Sequence, residues 1–143
     1  GLVVRDVFGE LVLDTKRPDS LLMPGGATEP GAGVADRYRC YSVKITKDTP
    51  RFMTRLRTVM TDEIGTWDWA VKKPSRVCLS AAVDAAGVSN PGAHLMCYRV
   101  KTTPGEAKPP QTLLSSRSTA FRASELLAIK GSEVCVPASV EVP

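Results

Sequence analysis

Two cysteine-bearing segments of this chain each occur twice, and both recur at one offset. Cys40-Tyr41-Ser42-Val43-Lys44 returns as Cys97-Tyr98-Arg99-Val100-Lys101, and Val77-Cys78-Leu79-Ser80 returns as Val134-Cys135-Val136-Pro137. The steps 40 to 97 and 78 to 135 are both 57 residues. An internal period of this size is the mark of a repeat architecture, and it constrains the fold more than any single motif. The N-terminal segment reads as a third, partial copy at an offset of 56. Val7-Phe8-Gly9 falls on Glu63-Ile64-Gly65, and Lys16-Arg17-Pro18 on Lys72-Lys73-Pro74. At that offset Leu22 stands where Cys78 stands. The unit is a C-Y-x-V-K strand, a connection, a hairpin with a glycine turn, and a K-P-x-x-x-C closing strand. The chain holds the second half of one unit followed by two whole ones: residues 1–24 as an orphan half-repeat, 25–36 as a spacer, 37–81 as the first full repeat and 82–143 as the second.

Four cysteines permit three pairings. If each C-Y cysteine bonds the next closing cysteine, the pairs are Cys40–Cys78 and Cys97–Cys135. The first half of the first unit is missing, so its closing position would have no partner, and that position is Leu22 rather than cysteine. This favours the first pairing over a Cys78–Cys97 bond; four reduced, buried thiols are the bland alternative. A four-cysteine zinc site is disfavoured because no C-x-x-C occurs and His94 is the sole histidine. Paired cysteines imply an oxidising compartment: the periplasm, the cell surface or outside the cell.

The hydrophobic period is two. Arg39 to Ile45 alternates, Leu95 to Lys101 behaves alike, and Thr66 to Lys72 sets Trp67, Trp69 and Val71 on one face. Gly9 and Gly65 suit tight hairpin turns. Thr119 to Lys130 has the composition of a short helix, but the repeat aligns it with the Trp67 hairpin and predicts a strand. Residues 23–36 hold four Gly and two Pro, the composition of a flexible or extended spacer. The expected fold class is all-β: tandem small antiparallel β-sandwich or barrel-like repeats of about 57 residues, each with a disulfide.

These motifs resemble an uncharacterised repeat domain of secreted proteins from environmental bacteria such as deltaproteobacteria and planctomycetes. Typical copies read H-L-x-C-Y-x-V-K, then F-G at the turn, then K-P-x-x-L-C-x-P. His94 to Lys101 matches closely, Phe8-Gly9 keeps the turn, and Lys73-Pro74 with Cys78 keeps the close. The match runs from residue 3 to 137 and departs in the last copy, where Phe121-Arg122 lacks the turn glycine and Lys130-Gly131 replaces Lys-Pro. The resemblance implies a secreted, β-rich, disulfide-bonded module and nothing enzymatic.

Chemistry-bearing groups are sparse. Ser115-Ser116-Arg117-Ser118 lacks a nucleophile elbow and a base, His94 belongs to the strand-entry motif, and Asp62, Glu63 and Asp68 lack a calcium-loop pattern. No catalytic residue, metal or cofactor is expected. Trp67 and Trp69 are either core or a stacking platform for sugars. No apolar run reaches the roughly 20 residues of a membrane-spanning helix. Net charge is +4. Residues 1–36 hold three Lys/Arg against six Asp/Glu, so the first segment is acidic and the remainder basic. The basic side chains are spread out, which disfavours nucleic acid and leaves an anionic polysaccharide as the better electrostatic partner.

The chain opens at Gly1 with an apolar hairpin, compatible with a removed leader and with a piece of a longer protein alike. An isolated hairpin is marginal in water. Leu2, Val4, Val7, Phe8, Leu11 and Leu13 therefore need a sheet to cover them, in their own chain or in a neighbour. The second case is strand addition between subunits, which runs head-to-tail and propagates. The expected function is a secreted structural subunit of an extracellular filament or surface layer, a homopolymer built by exchange of the N-terminal segment. The alternative is a monomeric secreted binding module, for glycan, from a larger multi-repeat surface protein.

Overall fold

The computed structural model describes residues 1–23, 36–62, 64–83, 87–118 and 123–143, leaving aside the side chains of 115–118 and 123–124. Most of the 25–36 spacer, Glu63 and the Phe121-Arg122 turn lie outside the described residues. Every element among the described residues is a strand: β1 (Leu2–Asp6), β2 (Gly9–Leu22), β3 (Arg37–Ile45), β4 (Arg55–Asp62), β5 (Gly65–Ala81), β6 (His94–Thr102), β7 (Thr112–Ser118), β8 (Ala123–Ala128) and β9 (Glu133–Glu141). Of the predicted strand over 119–130, residues 123–128 form β8, while 119–122 lie outside the described residues.

Seven strands form one antiparallel sheet in the order β3-β2-β1-β9-β6-β5-β4, and an additional β3–β5 ladder closes it. The closed path runs β1-β2-β3-β5-β6-β9 and back to β1, with β4 beside the first half of β5. Separate barrels, one per repeat, do not form. Each segment brings only two strands to the ring, too few to close on themselves. They close by sharing: β3 lies between β2 and β5, and β6 between β5 and β9.

The registers follow the sequence offsets. Leu13 faces Ile45 and Thr15 faces Val43 on β2–β3; Trp69 faces Thr102 and Val71 faces Val100 on β5–β6. Cys40 faces Cys78, and Cys97 faces Cys135. Pro18 and Pro74 both sit at register shifts, where a strand tolerates the loss of one donor. Gly9 and Gly65 turn their hairpins at φ of 129° and 147°, which a side chain would resist.

The main core gathers Val4, Leu11, Leu13, Val43, Trp69, Val71, Val77, Met96, Tyr98 and Val100. Val77 and Cys78 are successive and both fully buried, as are Met96 and Cys97. Successive residues point to opposite faces, so both sides of β5 and β6 are covered there. One side is the main core. The other is a cluster of Cys40, Cys78 and Cys97 with Leu22, Tyr38, Leu95 and Cys135 packed on it. Leu22 thus occupies a place in the cysteine cluster. A charge cluster repeats the spacing: Arg76 Nε donates to Glu133 at 3.0 Å and its Nη1 to Asp19 at 3.3 Å, each 57 residues away.

The last hairpin departs. β7 and β8 pair with each other in a separate two-stranded sheet. Their register is that of β4–β5 displaced by 57: Thr112 faces Ala128 as Arg55 faces Val71, and Arg117 faces Ser124 as Met60 faces Trp67. In the second segment β5 runs unbroken from its hairpin into its closing half. In the third, the chain breaks between β8 and β9 at Lys130-Gly131. Gly131 lies against the indole of Trp69; a Cβ there would stand 2.9 Å from Cζ3 and 3.0 Å from Cζ2. The loss of the Lys-Pro pattern thus coincides with a close approach that only glycine permits.

Candidate functional site: the seats of the first hairpin

The first hairpin completes the chain's own ring. β1 pairs with β9, from Val3 opposite Glu141 to Asp6 opposite Ala138, and β2 pairs with β3 from Leu13–Ile45 to Leu22–Tyr38. Alternation then directs Val4, Leu11 and Leu13 inward, and all three are buried. Leu2 and Phe8 pack at the margin of the core, while Val7, at the turn, is 77% exposed. The six apolar residues singled out from the sequence thus divide into three buried, two flanking and one exposed.

The turn is fastened by polar contacts. Asp6 Oδ1 accepts the Phe8 amide at 2.7 Å, and Oδ2 accepts the Tyr98 hydroxyl at 2.6 Å. Arg55 donates to the Phe8 carbonyl at 2.6 Å. The Phe8 ring meets Tyr98 edge-on at 5.1 Å between centroids, and Phe52 at 6.4 Å, an arrangement aromatic quadrupoles favour. Burial, reinforced by the bond to Asp6, holds the Tyr98 phenol protonated well above its ordinary range. On the open side Arg5 reaches both Glu10 and Glu141 at 2.6 Å, joining β1 to its two neighbours. At the other end of β1 the Thr46 hydroxyl donates to Asp14 at 2.8 Å, and the Gly1 ammonium and Lys44 lie 3.6 Å from the same carboxylate. The hydroxyl first, then these cations, keep Asp14 below the usual carboxylate range.

None of these ties is covalent. The two disulfides join Cys40 to Cys78 and Cys97 to Cys135. They lock β3 to β5 and β6 to β9; neither bonds β1 or β2 covalently, although Leu22 of β2 packs on the cysteine cluster. Sulfurs of the two bridges, Cys78 Sγ and Cys97 Sγ, are 3.8 Å apart. Glu133 stands beside the second bridge, but its carboxylate accepts from Arg76 and Ser75 and both sulfurs are spent in the bond, so this cluster is no metal centre.

Trp67 and Trp69 do not form an exposed platform. Trp69 is 9% exposed beneath Gly131, and Trp67 packs half-buried against the core with its Nε1 enclosed. The sugar-stacking expectation yields to packing: β5 is paired on both edges, and the tryptophan face is its core face. His94 Nδ1 lies 3.4 Å from the Ser80 amide, holding two neighbouring strands together. Among the described residues no helix is long and apolar enough to cross a membrane. The charge cluster and the detached third hairpin were missed from sequence. The first was signalled by acid, base and acid at equal spacing, and the second by the loss of Lys-Pro. Comparison with family models, curated proteins and solved structures finds no match to this chain.

Proposed function

We propose that this chain is a non-enzymatic structural subunit built from tandem copies of one unit, and that it assembles head-to-tail into an extracellular filament or surface layer by exchange of the β1–β2 hairpin. The observation that carries the reading is the distribution of the disulfides. Both later segments are cross-linked within the ring, whereas the first hairpin is held by hydrogen bonds, ion pairs and packing alone. It is the part of the ring that leaves without breaking a bond. Its seats on β9 and β3 are the same whether the hairpin comes from its own chain or from the next, so exchange keeps the same ladders and is opposed by the entropy of association. The two disulfides accord with an oxidising, non-cytoplasmic setting.

The test is a cross-link that forbids exchange. Val3 and Glu141 face each other on β1 and β9. Val3→Cys with Glu141→Cys ties the hairpin to its own ring. Wild-type protein incubated at high concentration without reductant is expected to form long regular filaments in negative stain, and the oxidised double variant to remain a 15.4 kDa monomer. Reduction of the engineered bond alone restores assembly. A wild type that stays monomeric, or a locked variant that polymerises equally well, overturns the proposal.

A further inference from the structure

The β7–β8 hairpin carries the residues of a ring hairpin but lies outside the ring. Leu126 stands at the position of Trp69 in the second segment and of Leu13 in the first. Those two are 9% and 0% exposed; Leu126 is 49% exposed, and Leu113, Leu127 and Ile129 are exposed as well. A two-stranded ribbon with this much open apolar surface is marginal in water and marks an interaction site.

The molecule itself shows what covers such a hairpin. On β2, Leu13–Thr15 pair with Val43–Ile45 of β3. On β5, Trp69–Val71 pair with Val100–Thr102 of β6. In both, the second strand of the hairpin receives, on the edge away from its hairpin partner, the end of a strand of the C-Y-x-V-K pattern. On β8 the corresponding residues are Leu126–Ala128, and among the described residues their outer edge has no strand beside it. We propose that this edge is a docking site for the opening strand of a second copy of this chain, its Arg37–Ile45 segment, whose Val43–Ile45 edge is freed when that copy's own β1–β2 hairpin leaves it. That segment is basic and alternates Tyr41, Val43 and Ile45 on one side. In the docked register its Val43–Ile45 lie antiparallel to Leu126–Ala128, continuing the interface already made twice within the chain. Leu126 and the incoming valine and isoleucine then cover one another. The inference rests on the proposed release of the first hairpin; a free peptide supplies the released strand directly, so a failure to bind refutes the docking site and leaves the exchange standing.

A synthetic peptide of residues 37–45, with serine in place of its cysteine, tests it against the full oxidised chain. The expected result is saturable binding below about 1 mM peptide, together with slowed hydrogen exchange at the amides of Glu125–Ala128. A scrambled peptide of the same composition has no such effect. Leu126→Asp is expected to weaken the peptide by about tenfold or more, since it places a charge against apolar side chains. Among the described residues the hairpin makes no ladder to the ring, so this variant keeps the wild-type unfolding transition of the ring. Binding that leaves the β8 amides unprotected, equal binding of the scrambled peptide, or no binding at 1 mM overturns the inference. So does concentration-dependent dimerisation that Leu126→Asp abolishes and the peptide fails to inhibit, because the hairpin then serves itself.

Discussion

Replacing Gly131 by alanine probes the contact that separates the third hairpin from the ring. Gly131 is not among the glycines at positive φ, so alanine suits the backbone, and the lost chain entropy of glycine favours the variant by about 0.4–1 kcal/mol. Against this stands the indole of Trp69. Carbon atoms rest about 3.5–4.0 Å apart at their optimum, and the added methyl would stand 2.9 Å from Cζ3 and 3.0 Å from Cζ2. Relief requires moving either a buried ring that packs among Val71, Met96 and Val100 or the chain that leads into β9. Overpacking of this kind costs about 1–3 kcal/mol. The clash outweighs the entropy, leaving a net loss of about 1–2 kcal/mol. Trp69→Leu removes the obstructing ring and has its own cost of cavity formation, but Gly131→Ala added to it should cost nothing further. The double variant is then less destabilised than the sum of the singles by at least about 1 kcal/mol. Urea unfolding followed by far-ultraviolet circular dichroism measures all four proteins without relying on the tryptophan. Additivity within about 0.5 kcal/mol would show that the two residues do not meet, and the account of the broken strand would fall with it.

Tyr98→Phe removes the donor to Asp6 and is expected to cost about 1–2 kcal/mol in the same assay. The phenol of Tyr98 is held protonated in the folded state, while in the unfolded chain it ionises near pH 10. Its contribution is therefore complete below about pH 10 and is lost as pH rises beyond it, so Tyr98→Phe should flatten the alkaline limb of the stability profile. Asp14 is held low by Thr46, and Asp36 by the amides of Ser89 and Asn90. Their stabilising effect is present above about pH 4 and lost as pH falls through their lowered values; Asp36→Asn should shrink the stability change between pH 5 and pH 2 in a urea titration. Replacing Cys97 and Cys135 together by serine opens a loop of separation 38 and is expected to cost about 4 kcal/mol, seen as a lower melting temperature in calorimetry.

Much of this architecture can be read in the residues. The alternation of Arg39–Ile45 and Leu95–Lys101 specifies strands with one apolar face, and Gly9 and Gly65 mark the two turns because their backbone conformation excludes side chains. The absent cysteine at Leu22 points to the pairing partners of the other four. These are local signals or simple comparisons between segments of similar sequence. The ring is not local. Nothing in Leu2–Asp6 or in Glu133–Glu141 announces that the first strand pairs with the last, since any alternating strand offers the same ladder to any other. The third hairpin is a further case: its sequence has the ring pattern at Leu126, and its place outside the ring goes with the approach of Gly131 to Trp69. Trp67 and Trp69 illustrate the converse difficulty. Two tryptophans on one strand face describe a ligand platform and a core equally well, and only the strands on both sides of β5 decide between them.

The pairing of β1 with β9 also determines how the molecule carries load. Val3 lies opposite Glu141, so residues 1 and 143 emerge at the same end of the seam, where Gly1, Leu2, Leu13, Val142 and Pro143 line a shallow cavity of about 300 Å³. Tension applied at these two points peels β1 from β9 one hydrogen bond at a time rather than shearing the ladder all at once. The ring therefore opens at low force. Peeling then reaches Cys40 on one side and Cys135 on the other, where the two bridges pass the tension across to Cys78 and Cys97. Such a chain yields early, and it lengthens further only when β5 parts from β6.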